Sequence, residues 1–323
     1  MKIFLGIGFA CAFFLAGCRP STFPEATVDN GVISATVLLP DAKNGYYRGA
    51  RFDWSGVVSK LEYKGHSYFG QWFNEYDPFL HDAIMGPVDE FREPLGYETA
   101  RPGEDFVKIG VGAIKKPDNA PYQFARKYEI TDHGKWDVKT GKEQVVFAQE
   151  LRTGAGIAYR YEKKIRLVPG QAQLVIGHKL SNTGELPIHT STYNHNFFMI
   201  DREPTGPRLK TIFPFRISAS GNGFGEIAHA EGETLTYSRQ LEKGENVFSE
   251  DLRNDKSQSP RYGFSIENTR TGAGVQVACN RAVDRMVYWA CPTTACPEPY
   301  LDLSLAAGES TDWEITYTFF VKP

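Results

Sequence analysis

Alternation with a period of two residues runs through most of this chain. Trp313, Ile315, Tyr317 and Phe319 are apolar, and Asp312, Glu314, Thr316 and Thr318 between them are polar, the pattern of a strand with one face on a core. Leu301, Leu303 and Leu305 repeat it just upstream, and Ala306-Ala307-Gly308-Glu309-Ser310 has turn composition, which predicts a C-terminal hairpin. Ile157, Tyr159 and Tyr161, then Ile165 and Leu167, lead through Pro169-Gly170 into Leu174, Ile176, His178 and Leu180, a second expected hairpin. Further strands are expected at 31–39, 57–69 with a bend at Lys64-Gly65, 107–111, 122–130, 144–151, 209–215, 262–266 and 274–278. No amphipathic helix longer than about three turns is visible. Short strands punctuated by Gly, Pro, Asn and Asp predict an all-β protein built as a large antiparallel sandwich or barrel.

One stretch breaks the rhythm. Residues 71–103 hold Pro78, Pro87, Pro94 and Pro102 among aromatics and acids; loops of that length are functional or disordered, and the aromatic content points to an ordered, functional loop. No repeat or compositional break divides the rest, so one domain is expected over 27–323.

The N-terminus follows a different rule. Met1-Lys2 precedes an apolar run from Ile3 to Leu15, then Ala16-Gly17 and Cys18, which reads as a secretory signal over 1–17. The Leu15-Ala16-Gly17-Cys18 end resembles a bacterial lipobox, implying that Cys18 is lipidated and that residues 18–26 form a lipidated tether. The expected location is the bacterial cell envelope, with the membrane reached through the Cys18 anchor. Arg19 after the cysteine, where Asp is absent, favours the outer membrane. Cys279, Cys291 and Cys296 then remain in a compartment where disulfides persist. One pair, such as Cys291 with Cys296, plus a free thiol is one option, and three reduced, buried thiols is the other. No Cys-x-x-Cys spacing occurs, so no metal or other cofactor is expected.

Composition removes other classes. With 36 Lys+Arg against 39 Asp+Glu and a net charge of −3, the chain has no broad basic field, so nucleic acid is not an expected partner. Aromatics at 13% suit strands and sugar-stacking clefts. Gly221-Asn222-Gly223-Phe224-Gly225 is glycine-rich, but has neither a dinucleotide fingerprint nor a P-loop ending.

Two segments carry the candidate chemistry. Tyr193-Asn194-His195-Asn196-Phe197-Phe198 follows a strand ending in Asn182-Thr183-Gly184, and Cys296-Pro297-Glu298-Pro299-Tyr300 precedes the leucine-rich run. Together, and in this order, they resemble the aldose 1-epimerase, or galactose mutarotase-like, superfamily, in which an Asn-His-aromatic motif carries a general acid and a Cys-x-Glu segment a general base. Phe197 stands where the family often has Tyr, and Met199 where it often has Asn. The resemblance implies a galactose mutarotase-like β-supersandwich, a mono- or oligosaccharide ligand, and anomer interconversion by His195 as acid and Glu298 as base. Such chemistry needs two proton-transfer groups with tuned pKa values and no metal or nucleotide.

Substrate-binding candidates surround that pair. Arg48 and Arg51 hint at an acidic sugar, because guanidinium clamps carboxylate or phosphate bidentately; they equally suit a solvated sheet edge. His81, Glu90 and Phe91 lie in the irregular segment that would overhang a cleft. Tyr193, Asn194 and Trp289 complete the set, the aromatics as stacking platforms. His66, His133, His178, His189 and His229 are expected to be structural, and the parity of His178 predicts a buried, hydrogen-bonded side chain. The competing function is a non-catalytic carbohydrate-binding lipoprotein on the same fold. A polysaccharide-cleaving relative is disfavoured, since the helical companion domain of such enzymes has no counterpart here.

Overall fold

A computed structural model describes residues 23–257 and 260–323. The predicted signal segment, Cys18 and most of the tether lie outside the described residues. Among the described residues, twenty-two strands and one 3-10 turn, Ile200–Arg202, make up the regular structure. The protein is all-β and antiparallel, as the alternation predicts. The first strand, Glu25–Asp29, begins inside the expected tether and pairs with Ser34–Leu38.

A ten-stranded sheet forms one large layer. At its centre Ala158–Leu167, Gln173–Asn182, Ser310–Val321 and Ala273–Ala282 lie side by side. The predicted hairpin across Pro169-Gly170 is present, with Ile165 opposite Ile176 and Tyr161 opposite Leu180. Facing this layer is a five-stranded sheet in the order Val247–Ser249, Arg285–Cys291, Thr294–Leu305, Ile188–His195 and Val88–Phe91. Smaller sheets of four and three strands complete the molecule.

The C-terminal hairpin is not formed. Thr294–Leu305 joins the five-stranded sheet, and Ser310–Val321 crosses to the ten-stranded one. Gly308, at φ 82°, turns the chain between layers, a left-handed conformation that glycine adopts without a Cβ penalty. Leu301, Leu303 and Leu305 then face Trp313, Ile315 and Tyr317 across the interior, all buried. Alternation assigns a residue to the core side of its strand, but a hairpin within one sheet and an arch between two satisfy it equally. Burying each such side chain contributes roughly 1.5–3 kcal/mol, so both strands are held by the same interior.

Other departures have local causes. The 122–130 run is mostly irregular, and only Ile130–Asp132 is a strand there. Its aromatics pack singly instead: Tyr122 stacks on Tyr128, and Phe124 lies over the Arg51 guanidinium. The irregular 71–103 segment contains one strand, Val88–Phe91, and it sits at the edge of the five-stranded sheet.

A buried polar network bolts the two layers together. Lys163 Nζ lies 2.6 Å from Asp89 and 3.2 Å from Asp53, and His178 Nε2 lies 3.1 Å from Asp89. Tyr317 donates its hydroxyl towards Asn194 Oδ1 at 2.8 Å and Asn196 Oδ1 at 2.9 Å. His178 is buried and hydrogen-bonded as its parity predicts, and stacks on Trp313 at 4.6 Å.

Candidate active site

The strand Ile188–His195 is paired on both sides, with Tyr193 opposite Tyr300 on one neighbour and opposite Glu90 on the other. Side chains alternate across it. Thr192, Asn194 and, from the edge strand, Asp89 and Phe91 face the ten-stranded layer. Tyr193, His195, Glu298, Tyr300, Trp289 and Arg51 line a cavity of about 490 Å³ on the opposite face.

Two prolines explain how that floor opens. The ladder between Thr294–Leu305 and Arg285–Cys291 runs unbroken past Pro297 and Pro299, whereas the ladder to Ile188–His195 stops at Tyr193–Tyr300. The missing proline N–H groups therefore fall on the His195 side, where pairing cannot continue. Asn196 bridges the gap, donating Nδ2 to the Pro297 carbonyl at 2.7 Å and to the Asn194 carbonyl at 3.1 Å. With its side-chain oxygen held by Tyr317, Asn196 fixes the backbone on both sides of the cleft floor.

His195 and Glu298 meet there. Nε2 of His195 lies 3.2 Å from Oε1 of Glu298, and both side chains are buried. The contact is too poorly aligned to be a hydrogen bond, and His195 Nδ1 and Glu298 Oε1 have no hydrogen-bond partner among the described residues. Burial pushes the Glu298 carboxyl up to about 8, with Arg51 opposing. Burial, reinforced by the Arg51 charge, holds His195 well below the usual imidazole range. At neutral pH the contact thus joins a carboxylic acid to a neutral imidazole, because neither charge is adequately solvated.

Aromatic rings hold the imidazole in place. Phe197 stacks on it at 3.7 Å, Trp72 stacks on the far side of Phe197 at 4.9 Å, and Trp289 meets His195 edge-on at 5.6 Å. Phe197 adopts φ 42°, a left-handed conformation that costs a bulky L-residue energy and is kept here by the surrounding rings.

Beside the pair, Arg51 is fully engaged. Its Nε donates to Glu90 Oε2 at 2.8 Å, Nη2 to the Tyr193 hydroxyl at 3.1 Å, and Nη1 pairs with Asp82. Tyr193 in turn donates to Glu90 at 2.6 Å. Burial would raise the Glu90 carboxyl, but Arg51 and Lys108 outweigh it and hold it below its ordinary range. Burial lowers Lys108 to about 8. His81 Nε2 lies 3.0 Å from Asp82 at the cavity wall.

Of the residues singled out from the sequence, His195, Glu298, Arg51, His81, Tyr193 and Trp289 converge on one cavity. Four do not reach it. Arg48 lies outside, donating to the Lys43 carbonyl and covering Phe79. Phe91 packs into the interior against Tyr161. Asn194 points the same way, donating to Asp89 at 3.0 Å. Glu90 stands behind Arg51, fully buried.

The cavity also contains Asp82, which accompanies His81 in the irregular segment, and Arg92, Phe124, Arg285 and Tyr300, which were not expected there. Two had a usable signal: Arg285 shares parity with Trp289 on its strand, and Arg92 follows directly on the strand Val88–Phe91 with the parity of Glu90. Asn222 of the glycine-rich segment reaches the rim, where it donates to Asn246.

Among the described residues, one set of side chains could hold a soft cation: His195, Cys296 and Glu298, whose ligand atoms lie within 4.8 Å of one another. Burial pushes the Cys296 thiol up, so it keeps its proton, which a metal would have to displace. The three described cysteines are free thiols, so of the two options left open by the sequence the structure adopts the reduced one, with Cys296 buried but Cys279 and Cys291 only half-buried.

Solved structures share this architecture. A GalM/aldose epimerase homologue from C. elegans matches with a TM-score of 0.57 at 15% identity, over 93% of this chain and 100% of that one. A galactose mutarotase-like protein from Clostridium acetobutylicum matches with a TM-score of 0.54 at 14% identity, over 92% and 95% of the two chains. The chain has a galactose mutarotase-like fold. A galactose mutarotase related enzyme from Lactobacillus acidophilus also matches, with a TM-score of 0.52 at 12% identity over 93% and 100% of the chains. No family model and no curated protein matches the sequence. On this mutarotase-like scaffold, two short motifs far apart in the sequence meet across neighbouring strands.

Proposed function

We propose that this protein interconverts the anomers of an aldose, with Glu298 and His195 exchanging the two protons that the reaction moves. The observation that carries this reading is the 3.2 Å contact between two buried side chains whose polar atoms lack partners, on the floor of a cavity of about 490 Å³. That volume lies in the range of small-ligand sites.

The chemistry follows from the proton count of the pair. Burial leaves its one shared proton on Glu298. Sugar hydroxyls donating to the carboxyl favour its charged form, so the proton passes to Nε2 of His195. The Glu298 carboxylate then removes the proton from the anomeric hydroxyl while His195 delivers one to the ring oxygen. The C1–O5 bond breaks, C1=O1 forms, and rotation about C1–C2 turns the aldehyde. Closure reverses both transfers on the other carbonyl face and restores the pair. Each proton transfer contributes about 10²–10⁴-fold in such reactions.

The test is saturation-transfer NMR on the mature protein with a panel of hexoses and uronic acids. Accelerated exchange that falls by at least about 10²-fold in both Glu298→Gln and His195→Asn supports the reading; variants that exchange at the unmodified rate overturn it. Binding without acceleration across the panel would instead favour a non-catalytic carbohydrate-binding protein, the reading that Phe197 supports by offering a ring without a hydroxyl.

In the same proposal, residues 1–17 direct export, Cys18 carries the lipid that anchors the protein in the cell envelope, and residues 27–323 work as one domain. Fatty-acid labelling in cells should be lost in Cys18→Ser, and one cooperative urea transition should describe unfolding.

A further inference from the structure

Three arginines line the cavity, and they are not equivalent. Arg51 spends all three of its guanidinium nitrogens on Glu90, Asp82 and Tyr193. Arg92 is half-buried, yet its guanidinium makes no ion pair and no hydrogen bond among the described residues, and lies 5.2 Å from the centroid of Phe124. Its nearest acid by charge effect is Glu90, already shared by Arg51 and Lys108. The Arg285 guanidinium sits over the Tyr300 ring, 4.1 Å from its centroid, and among the described residues pairs only with Glu250, at 3.8 Å, a carboxylate whose side chain is 79% exposed.

These two arginines flank the stacked pair Tyr193 and Tyr300, whose centroids lie 4.4 Å apart. Arg285 pairs in register with Tyr300, and the Arg92 backbone N–H bonds to the Ser191 carbonyl two residues before Tyr193. Glu298 lies two residues before Tyr300 on the same face of its strand. The underused cations thus border the region next to the Glu298–His195 pair. The Arg92 guanidinium has the charge of Glu90 nearby but no hydrogen-bond acceptor of its own among the described residues, and a ligand's anionic group would fill its donors with charge-assisted hydrogen bonds.

Building on the proposed function, we infer that the preferred ligand is a sugar carrying an anionic substituent, held by Arg92 with Arg285 as the second contact. The anion makes bidentate contact with the Arg92 fork, and the pyranose ring extends from it over His195 and Glu298. The acidic-sugar expectation raised by Arg48 and Arg51 is thereby moved to different residues: Arg48 lies outside the cavity, and every guanidinium nitrogen of Arg51 is already committed to Glu90, Asp82 or Tyr193.

The test separates binding from turnover. Isothermal titration compares glucose with glucuronate, which carries a carboxylate, and with glucose 6-phosphate, which carries a phosphoryl group; anomer exchange is measured on the same three. At least one anionic sugar should bind about 10- to 100-fold more tightly than glucose, with the preference shrinking as salt rises. Arg92→Gln should collapse the anionic-to-neutral ratio, Arg92→Lys should keep part of it, and Arg285→Gln should reduce it less. Whichever anionic sugar wins identifies the substituent. Equal affinity for neutral and anionic sugars overturns the inference, as does a preference that survives in the Arg92→Gln, Arg285→Gln double variant. Exchange without charge preference leaves the proposed function standing and removes this inference, whereas tight anion binding without exchange does the reverse.

Discussion

Asp89 and His178 meet at 3.1 Å between the two large sheets, and Glu298 and His195 meet at 3.2 Å on the other face of the five-stranded sheet. Both contacts join a buried carboxyl to a buried imidazole. Their surroundings differ. Asp89 also receives Lys163 and Asn194; burial alone would raise its carboxyl, but Lys163 and His178 outweigh it and hold it well below its ordinary range. Glu298 has no such cation in contact, so burial prevails and the carboxyl rises to about 8. Distance between two titratable groups therefore does not decide their charge; the count of further partners does. A saturated pair is a bolt, and an unsaturated one is poised to exchange protons with a ligand.

The sharpest way to break this contrast is to remove one member of the unsaturated pair. Glu298→Gln or His195→Asn should cost anomer exchange about 10³-fold with little loss of stability in urea. Lys163→Met should do the opposite. It leaves Asp53 and Asp89 buried without their shared cation, which costs about 3–5 kcal/mol in urea unfolding; an unchanged midpoint would show that the network does not hold the layers.

Stability against pH separates the two carboxyls by sign. Glu298 is raised in the fold, so its contribution is fully present below the ordinary carboxyl range and is lost as pH rises towards and through about 8. Asp89 is lowered, so its contribution is present above the ordinary range and lost as pH falls. Glu298→Gln should flatten the fall in stability between the ordinary carboxyl range and about pH 8, and Asp89→Asn the acid limb. Anomer exchange should fall above about pH 8, when the pair loses its shared proton. The smallest expected effect is at Tyr317→Phe. It removes the hydroxyl proton shared between Asn194 Oδ1 and Asn196 Oδ1 and should cost about 1–2 kcal/mol. A larger drop in exchange than in stability would identify Tyr317 as a positioning residue for His195.

Much of the site was legible, and its gaps have physical causes. Tyr193 and His195 share parity, as do Glu298 and Tyr300, so each strand presents its chemistry on one face. Trp289 shares that face with Arg285. The edge strand Val88–Phe91 was hidden because all four of its residues, including Asp89 and Glu90, are buried, so polarity does not alternate along it. Missing that strand hid Arg92 and assigned Phe91 to the cleft; Asn194, named for its place in the Asn-His motif, has the opposite parity to His195 and turns inward. Arg48 and Arg51 look alike in sequence, yet Arg51 alone has Glu90 and Asp82 within reach.

By itself the sequence determined what depends on neighbours along the chain: the central strands of the ten-stranded sheet, the turn at Pro169-Gly170, the inward set of Trp313, Ile315 and Tyr317, and the two motifs centred on His195 and Glu298. Tertiary structure alone decided which sheet each strand joins, which arginine is saturated, and which buried carboxyl keeps its proton. Alternation encodes a side of a strand but not a partner across the interior, and the charge of a buried group is set by partners that only the assembled layers bring into contact.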